Sequence, residues 1–213
     1  MENTPILIIG CGDIGCRVAQ RCITPGGIIY GSVKTERSAA SLQQQGISPL
    51  LINLDEPLAQ PYIPMAPLIF YFAPPPDTGT TDPRLAAFLT YLETQPPQRV
   101  VYISTSGVYG DCGGAWVNEE TPVRPKTARA PRRCDAEQAW RAFAQRHGTR
   151  LIILRVPGIY GPGRLPLARL RAGTPVIHPA QAPWSNRIHA DDLADICVLA
   201  AFHPQPSELY NVS

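Results

Sequence analysis

The feature that most constrains this chain is its start, where the apolar run Ile6-Leu7-Ile8-Ile9 meets Gly10-Cys11-Gly12-Asp13-Ile14-Gly15. A buried strand opening a G-x-G-x-x-G ahead of a helical pattern is the fingerprint of a dinucleotide-binding βαβ unit. Each glycine has its own task. Gly10 makes the tight turn, Gly12 lets backbone approach a pyrophosphate, and Gly15 lets helix pack closely on strand. The helix that follows turns unpaired N–H groups and the positive end of its dipole toward the phosphates. Glycines also mark ordinary turns, so the motif carries weight here because strand and helix flank it.

The rest of the chain continues in the same manner. Apolar β-type runs occur at Pro5–Gly10, Gly27–Val33, Pro49–Asn53, Leu68–Ala73, Arg99–Ser104, Arg150–Arg155 and Glu208–Val212. Helix-period segments alternate with them, which predicts a parallel sheet covered on both faces. Apolar stripes recur at Ile14/Val18/Cys22, Leu85/Phe88/Leu89/Leu92, Ala136/Trp140/Phe143/His147 and Leu193/Ile196/Cys197/Ala200. Their aromatic members are expected in the core. Asp191-Asp192 fall where the last helix begins, a place for capping and dipole complementarity. The expected fold class is α/β: a Rossmann-type doubly wound parallel sheet of order 3-2-1-4-5-6-7, with ligand at the carboxyl ends where the order reverses. The chain reads as a single domain over 1–213, with 161–188 as a small, partial substrate cap.

Nineteen Lys and Arg against 17 Asp and Glu leave a net charge of +2, which argues for neither nucleic acid nor an anionic membrane as partner. No apolar segment is long enough to span a bilayer, and no basic region precedes the first strand as in a secretion signal, so a cytoplasmic protein is expected. The six cysteines (Cys11, Cys16, Cys22, Cys112, Cys134, Cys197) show no C-x-x-C pairing, so neither a metal site nor a redox motif is suggested and reduced, packed thiols are expected. Cys11, inside the glycine turn, is open to oxidation only if exposed and ionised. The 24 prolines cluster at Pro74-Pro75-Pro76, Pro96-Pro97, Pro122/Pro125/Pro131 and Pro175/Pro179/Pro183, and read as stiffened loops.

Four further segments appear in order: Val101-Tyr102-Ile103-Ser104-Thr105-Ser106-Gly107-Val108-Tyr109-Gly110, Leu154-Arg155-Val156-Pro157-Gly158-Ile159-Tyr160-Gly161, Arg187-Ile188-His189-Ala190-Asp191-Asp192, and Leu209-Tyr210-Asn211-Val212. With the opening turn, they resemble the extended short-chain dehydrogenase/reductase family, also called NAD-dependent epimerase/dehydratases. The resemblance is to an atypical branch, because most extended members open with G-x-x-G-x-x-G. It implies a Ser or Thr after the fifth strand that polarises a substrate oxygen, plus a Tyr-Lys pair that moves a proton while hydride passes to or from nicotinamide. Thr105 falls on the hydroxyl position. The Tyr-Lys pair is absent. Glu137 matches the family's Glu four residues past the Lys, which puts Arg133 at the Lys position and Arg129 at the Tyr position. No tyrosine occurs between Tyr109 and Tyr160. A guanidinium stays protonated and cannot shuttle a proton, so Arg129 and Arg133 either grip an anionic substrate or form a solvated basic stretch with Arg124, Lys126 and Arg132.

The resemblance also assigns the cofactor contacts. Gly10, Cys11, Gly12, Asp13, Ile14 and Gly15 would hold the pyrophosphate. Asn53 and Leu54 would lie near adenine, and Ala73-Pro74-Pro75 would line the ribose wall. Pro157-Gly158-Ile159 would pass near nicotinamide, while Tyr109 and Arg187 would face substrate. Where an NAD site has a carboxylate at the end of its second strand, this chain has Lys34, with Arg37 just beyond, so NADP is favoured and NAD remains possible. Glu36, the counter-argument, is expected at a helix start. His178 and His189 are isolated and read as structural. Relatives continue past the strand Glu208–Val212 with a helical substrate-binding segment, so the cap is expected to be incomplete. Relatives often form homodimers. Two functions remain open: an oxidoreductase or epimerase-like enzyme on a small anionic molecule, or a catalytically silent NADP(H) sensor.

Overall fold

The computed structural model describes residues 4–58, 63–175, 177–178, 181–182, 184–206 and 208–213. Pro179 and Pro183, named above as loop prolines, lie outside the described residues. Seven strands form one parallel sheet: β1 (Ile6–Ile9), β2 (Ile29–Val33), β3 (Ser48–Leu51), β4 (Leu68–Tyr71), β5 (Arg99–Thr105), β6 (Arg150–Val156) and β9 (Leu209–Asn211). Their order is β3-β2-β1-β4-β5-β6-β9. Counting only these seven, that is the expected 3-2-1-4-5-6-7. The order reverses between β1 and β4, which pair from Ile6↔Leu68 to Ile9↔Tyr71.

Among the described residues the α-helices are α1 (Asp13–Cys22), α2 (Glu36–Gln44), α3 (Pro83–Leu92), α4 (Ala130–His147), α5 (Leu167–Arg171) and α6 (Ala190–Phe202), and all but α5 bury residues against the sheet. Alternation along each strand divides the core in two. Ile6, Ile8, Phe70 and Val101 face α1, α2 and α6, packing against Val18, Leu42 and Leu193. Leu7, Ile9, Tyr71 and Tyr102 face α3 and α4, packing against Phe88 and Trp140. In that second layer Tyr71, Phe88, Trp140 and Phe143 meet at ring-centroid distances of 5.4–6.5 Å. Tilted and edge-on aromatic pairs of this kind add about 0.5–1.5 kcal/mol each beyond area burial. The aromatic stripe members are core, as expected.

Three local readings are corrected. Pro131 is not loop but part of the first turn of α4, where its missing N–H costs nothing. Asp191 and Asp192 do not cap α6; the cap is His189, whose Nδ1 accepts the Asp191 N–H at 3.2 Å. Two further strands were not expected, β7 (Gly158–Tyr160) and β8 (Arg187–His189), which pair in parallel as a separate small sheet. Three-residue strands carry no readable periodicity. Within 161–175 the only regular element is α5, with no buried residue. No helix among the described residues is long and apolar enough to cross a membrane.

Candidate functional site

The glycine turn divides its tasks as the spacing implies. Gly10 has φ +81°, and a Cβ built on it would lie 2.5 Å from the Ala73 backbone nitrogen, because the turn runs hard against the end of β4. Gly15 is tight in another way: a Cβ there would meet Ile8 Cγ2 at 3.1 Å and Cys11 Sγ at 3.2 Å. Around Gly12 the shell is open, with nothing within 4 Å of an added Cβ. Gly12 is also the N-cap of α1 and supplies no side-chain cap, so the helix end presents bare N–H groups. Ser32, at the end of β2, clamps the turn: its Oγ accepts the Gly10 N–H at 2.8 Å and its carbonyl accepts the Cys11 N–H at 2.8 Å.

These elements wall a cleft of about 520 Å³. Of the expected cofactor residues, Gly10, Cys11, Gly12, Lys34, Leu54, Ala73 and Pro74 line it. Asp13, Ile14, Gly15, Arg37, Asn53, Pro75, Pro157, Gly158 and Ile159 are not among its lining. Asn53 turns inward on its own loop, donating to Glu56 and accepting the Asp55 N–H. Glu36 opens α2, with Thr35 as the N-cap. Ser32, Thr35, Ser38 and Arg84 line the cleft without having been read from the sequence. Lys34 does not stand alone. Its Nζ meets Asp55 at 2.8 Å, and Arg84 grips the same carboxylate at 2.6 and 2.9 Å. Arg84 and Lys34 together hold the Asp55 carboxyl far below the usual carboxylate range. Outside that lining, Arg164 reaches Asp13 at 2.5 Å, which brings a guanidinium to the start of α1. No local sequence signal marks Arg84 or Arg164, since each acquires its place from a distant element.

The residues expected to face substrate lie beyond β5 and around α4 and β8. Thr105 is half-buried there, and its Oγ1 accepts the Gly107 N–H at 3.2 Å, leaving the hydroxyl proton to donate. Arg133 points inward from α4, donating to the Ile103 carbonyl at 2.9 Å and to Tyr102 Oη at 3.2 Å. Arg129 is the exposed N-cap residue of α4. The basic stretch therefore splits: Arg132 is buried against the Gly79 carbonyl, while Arg124, Lys126 and Arg129 are exposed. Arg187 is exposed and lies across Gly158, where an added Cβ would fall 1.6 Å from its Nη1. That approach joins two residues the sequence assigned separately to cofactor and substrate.

Both phenols near the site are engaged. Tyr102 is fully buried, and burial pushes its hydroxyl up to about 12 despite the opposing Arg133 charge. Tyr109 is buried too; its hydroxyl accepts from Arg155 Nη1 and donates to Asn211 Oδ1, both at 2.8 Å. Tyr109 thus has its hydroxyl tied to β6 and β9. Arg155 in turn makes a bidentate pair with Glu137 at 3.1 and 2.7 Å, and Ser104 donates to the same carboxylate at 2.5 Å. Burial opposes the Arg155 charge, but the Glu137 and Tyr109 hydrogen bonds outweigh it and raise its pKa. This interior network fixes β5, β6 and α4 relative to one another.

Residues 85–213 match the NAD dependent epimerase/dehydratase family. The chain belongs to that family. Among solved structures similar to this member of the epimerase/dehydratases is a functionally unknown conserved protein from Silicibacter pomeroyi, 31% identical, with a TM-score of 0.81 over 99% of this chain and 72% of that one. Protein YeeZ of Escherichia coli K12 is 26% identical over 97% of this chain and 76% of its own length. UDP-glucose 4-epimerase from Thermus thermophilus, solved with NAD, shares the fold at a TM-score of 0.77 and 19% identity, covering 98% of this chain and 77% of that one. The open shell at Gly12, the bare helix end and the adjoining cleft fit a dinucleotide of the kind this epimerase/dehydratase fold carries.

Proposed function

We propose that this epimerase/dehydratase family member binds NADP(H), with NAD(H) as the weaker ligand, and acts as an oxidoreductase or epimerase-like enzyme on a small anionic substrate. The observation that carries this reading is the vacant shell around Gly12 at the N-terminus of α1, set where the sheet order reverses. When bound, the nicotinamide supplies or accepts hydride. The chain's own residues bind and orient. Gly12 through Gly15 receive the pyrophosphate, with Arg164 beside them. Lys34 and Arg84, two cations against the one Asp55 carboxylate, leave a net +1 at the adenosine end, and Arg37 stands on the adjacent first turn of α2. That balance suits a ribose 2′-phosphate. Asn53 and Leu54 serve the adenine, Ala73-Pro74-Pro75 the ribose wall, and Pro157-Gly158-Ile159 the nicotinamide. Thr105 donates to the substrate oxygen, and Arg133, Arg129 and Arg187 hold the anionic group.

Proton transfer falls to water or to the substrate itself, because Tyr102 and Tyr109 are buried with engaged hydroxyls. The same observation favours a second reading, a cofactor-binding sensor without turnover. Calorimetry with NADPH, NADH and their oxidised forms at one ionic strength tests the site; no uptake of any by folded protein refutes it, and tighter NADH binding reverses the preference. NADPH consumption across aldehydes, ketones and nucleotide sugars separates enzyme from sensor.

A further inference from the structure

Two cysteines, Cys11 in the glycine turn and Cys16 in α1, share one wall of the cleft. Cys11 is 3% exposed. Its Sγ is wedged where a Cβ on Gly31 would lie 2.9 Å away and one on Gly15 3.2 Å away, so it is pinned between β2 and α1. Cys16, in the first turn and a half of α1, is half-buried, with its Sγ 3.8 Å from the Cys11 carbonyl oxygen. Both residues line the dinucleotide cleft. The Cys11 thiol hydrogen-bonds Cys16 and lowers the Cys16 pKa below the ordinary thiol value, while that bond and burial together raise Cys11. Cys16 is thus the accessible and more readily ionised member of the pair, and Cys11 the buried one close to it. Cys22 and Cys197, by contrast, are sealed in the core.

We propose that Cys11 and Cys16 form a reversible disulfide when a hydroperoxide enters the unliganded cleft, and that this bond closes the dinucleotide site. The inference rests on the cofactor reading given above. Cys16 thiolate attacks the terminal peroxide oxygen; the O–O bond breaks, hydroxide or alkoxide leaves, and Cys16 becomes a sulfenic acid. The Cys11 sulfur then attacks the Cys16 sulfur. The S–O bond breaks, and the departing hydroxide takes the Cys11 proton to leave as water. The two thiols lose two electrons in all, and the peroxide is reduced. Bonding sets the two sulfurs about 2 Å apart. The strain falls on Cys11, whose backbone N–H is tied to Ser32 and whose next residue is Gly12. A bound dinucleotide covers the same wall and shields the pair.

The test treats the reduced chain with hydrogen peroxide, blocks remaining thiols by alkylation and maps the peptides by mass. A Cys11–Cys16 crosslink is expected, with NADPH and NADH affinity lost by calorimetry, restored by dithiothreitol, and oxidation slowed by preloaded NADPH. Cys134→Ser keeps this whole response. Cys16→Ser, compared only with its own untreated form, forms no crosslink and loses no affinity on peroxide treatment. Oxidation of Cys16 without the crosslink overturns the proposal, as does a crosslink that leaves affinity unchanged. A reduced chain that binds no nucleotide refutes the cofactor reading instead, and the peptide map then decides the disulfide by itself.

Discussion

Alanine at each of the three glycines separates folding from binding. At Gly12 the backbone is extended, with φ −85° and ψ −151°, and the new methyl meets nothing within 4 Å. Replacing glycine at a permissive φ/ψ gains about 0.4–1 kcal/mol through the unfolded chain, which the poorer N-cap offsets by a similar amount. Gly12→Ala should therefore keep its stability to about 0.5 kcal/mol, a Tm shift of at most about 2 °C for a chain of this length. Gly10→Ala is different. Its φ of +81° costs an L-residue about 1–2 kcal/mol, and a Cβ 2.5 Å from Ala73 backbone adds about 1–3 more. The sum, roughly 2–5 kcal/mol, lowers Tm by roughly 4–20 °C. Gly15→Ala falls between, since contacts of 3.1–3.3 Å oppose a helix-propensity gain of about 1 kcal/mol. Binding follows another order. The Gly12 methyl occupies the space that backbone leaves for a pyrophosphate, so dinucleotide affinity should fall about tenfold or more, at least about 1.4 kcal/mol. Thermal unfolding and calorimetry at fixed salt measure the two axes. Parent-like nucleotide binding by Gly12→Ala would refute the placement of the phosphates, and an unshifted melt for Gly10→Ala would refute the steric argument.

Removing the charge of Glu137 leaves Arg155 buried without a counter-ion, so Glu137→Gln should lose about 3–5 kcal/mol in urea unfolding, and Glu137→Leu combined with Arg155→Met should recover part of it; a loss within noise would show the pair is not coupled. Asp55→Asn frees Lys34 and Arg84 from their shared carboxylate and should strengthen NADPH binding severalfold while leaving NADH nearly unchanged; equal effects on both would place the 2′-phosphate elsewhere. Arg133→Ala, which removes a guanidinium held at the end of β5, should weaken an anionic ligand more than Arg129→Ala, whose parent side chain is exposed; the reverse order in a binding titration would exchange their roles. Arg17, then Arg21, lower the Asp191 pKa, and Arg146 does the same for Glu93. A depressed carboxylate contributes stability above its unfolded pKa and loses it as pH falls through the folded value, so stability should decline below about pH 4. A flat urea midpoint through that window would contradict it.

Local pattern determined the sheet order, the helix faces and the glycine turn. Periods of 2 and 3.6 say which residues must leave water, and Gly10, Gly12 and Gly15 act through their own backbone, with neighbours that β1, β2, β4 and α1 supply. The electrostatics of the site were decided by tertiary structure. Lys34 reads from sequence as a free cation, yet Asp55, 21 residues on, and Arg84, 29 residues beyond that, share its charge because the ends of β2 and β3 and the start of α3 converge on one lip. Tyr109 reads as a pocket phenol until β6 and β9 bring Arg155 and Asn211 to its hydroxyl. The small sheet of β7 and β8, with Arg187 resting on Gly158, has no periodic signal at all. Backbone conformation and amphipathic period are properties of neighbouring residues, whereas the partner of a charge is chosen by which strand ends the fold sets side by side.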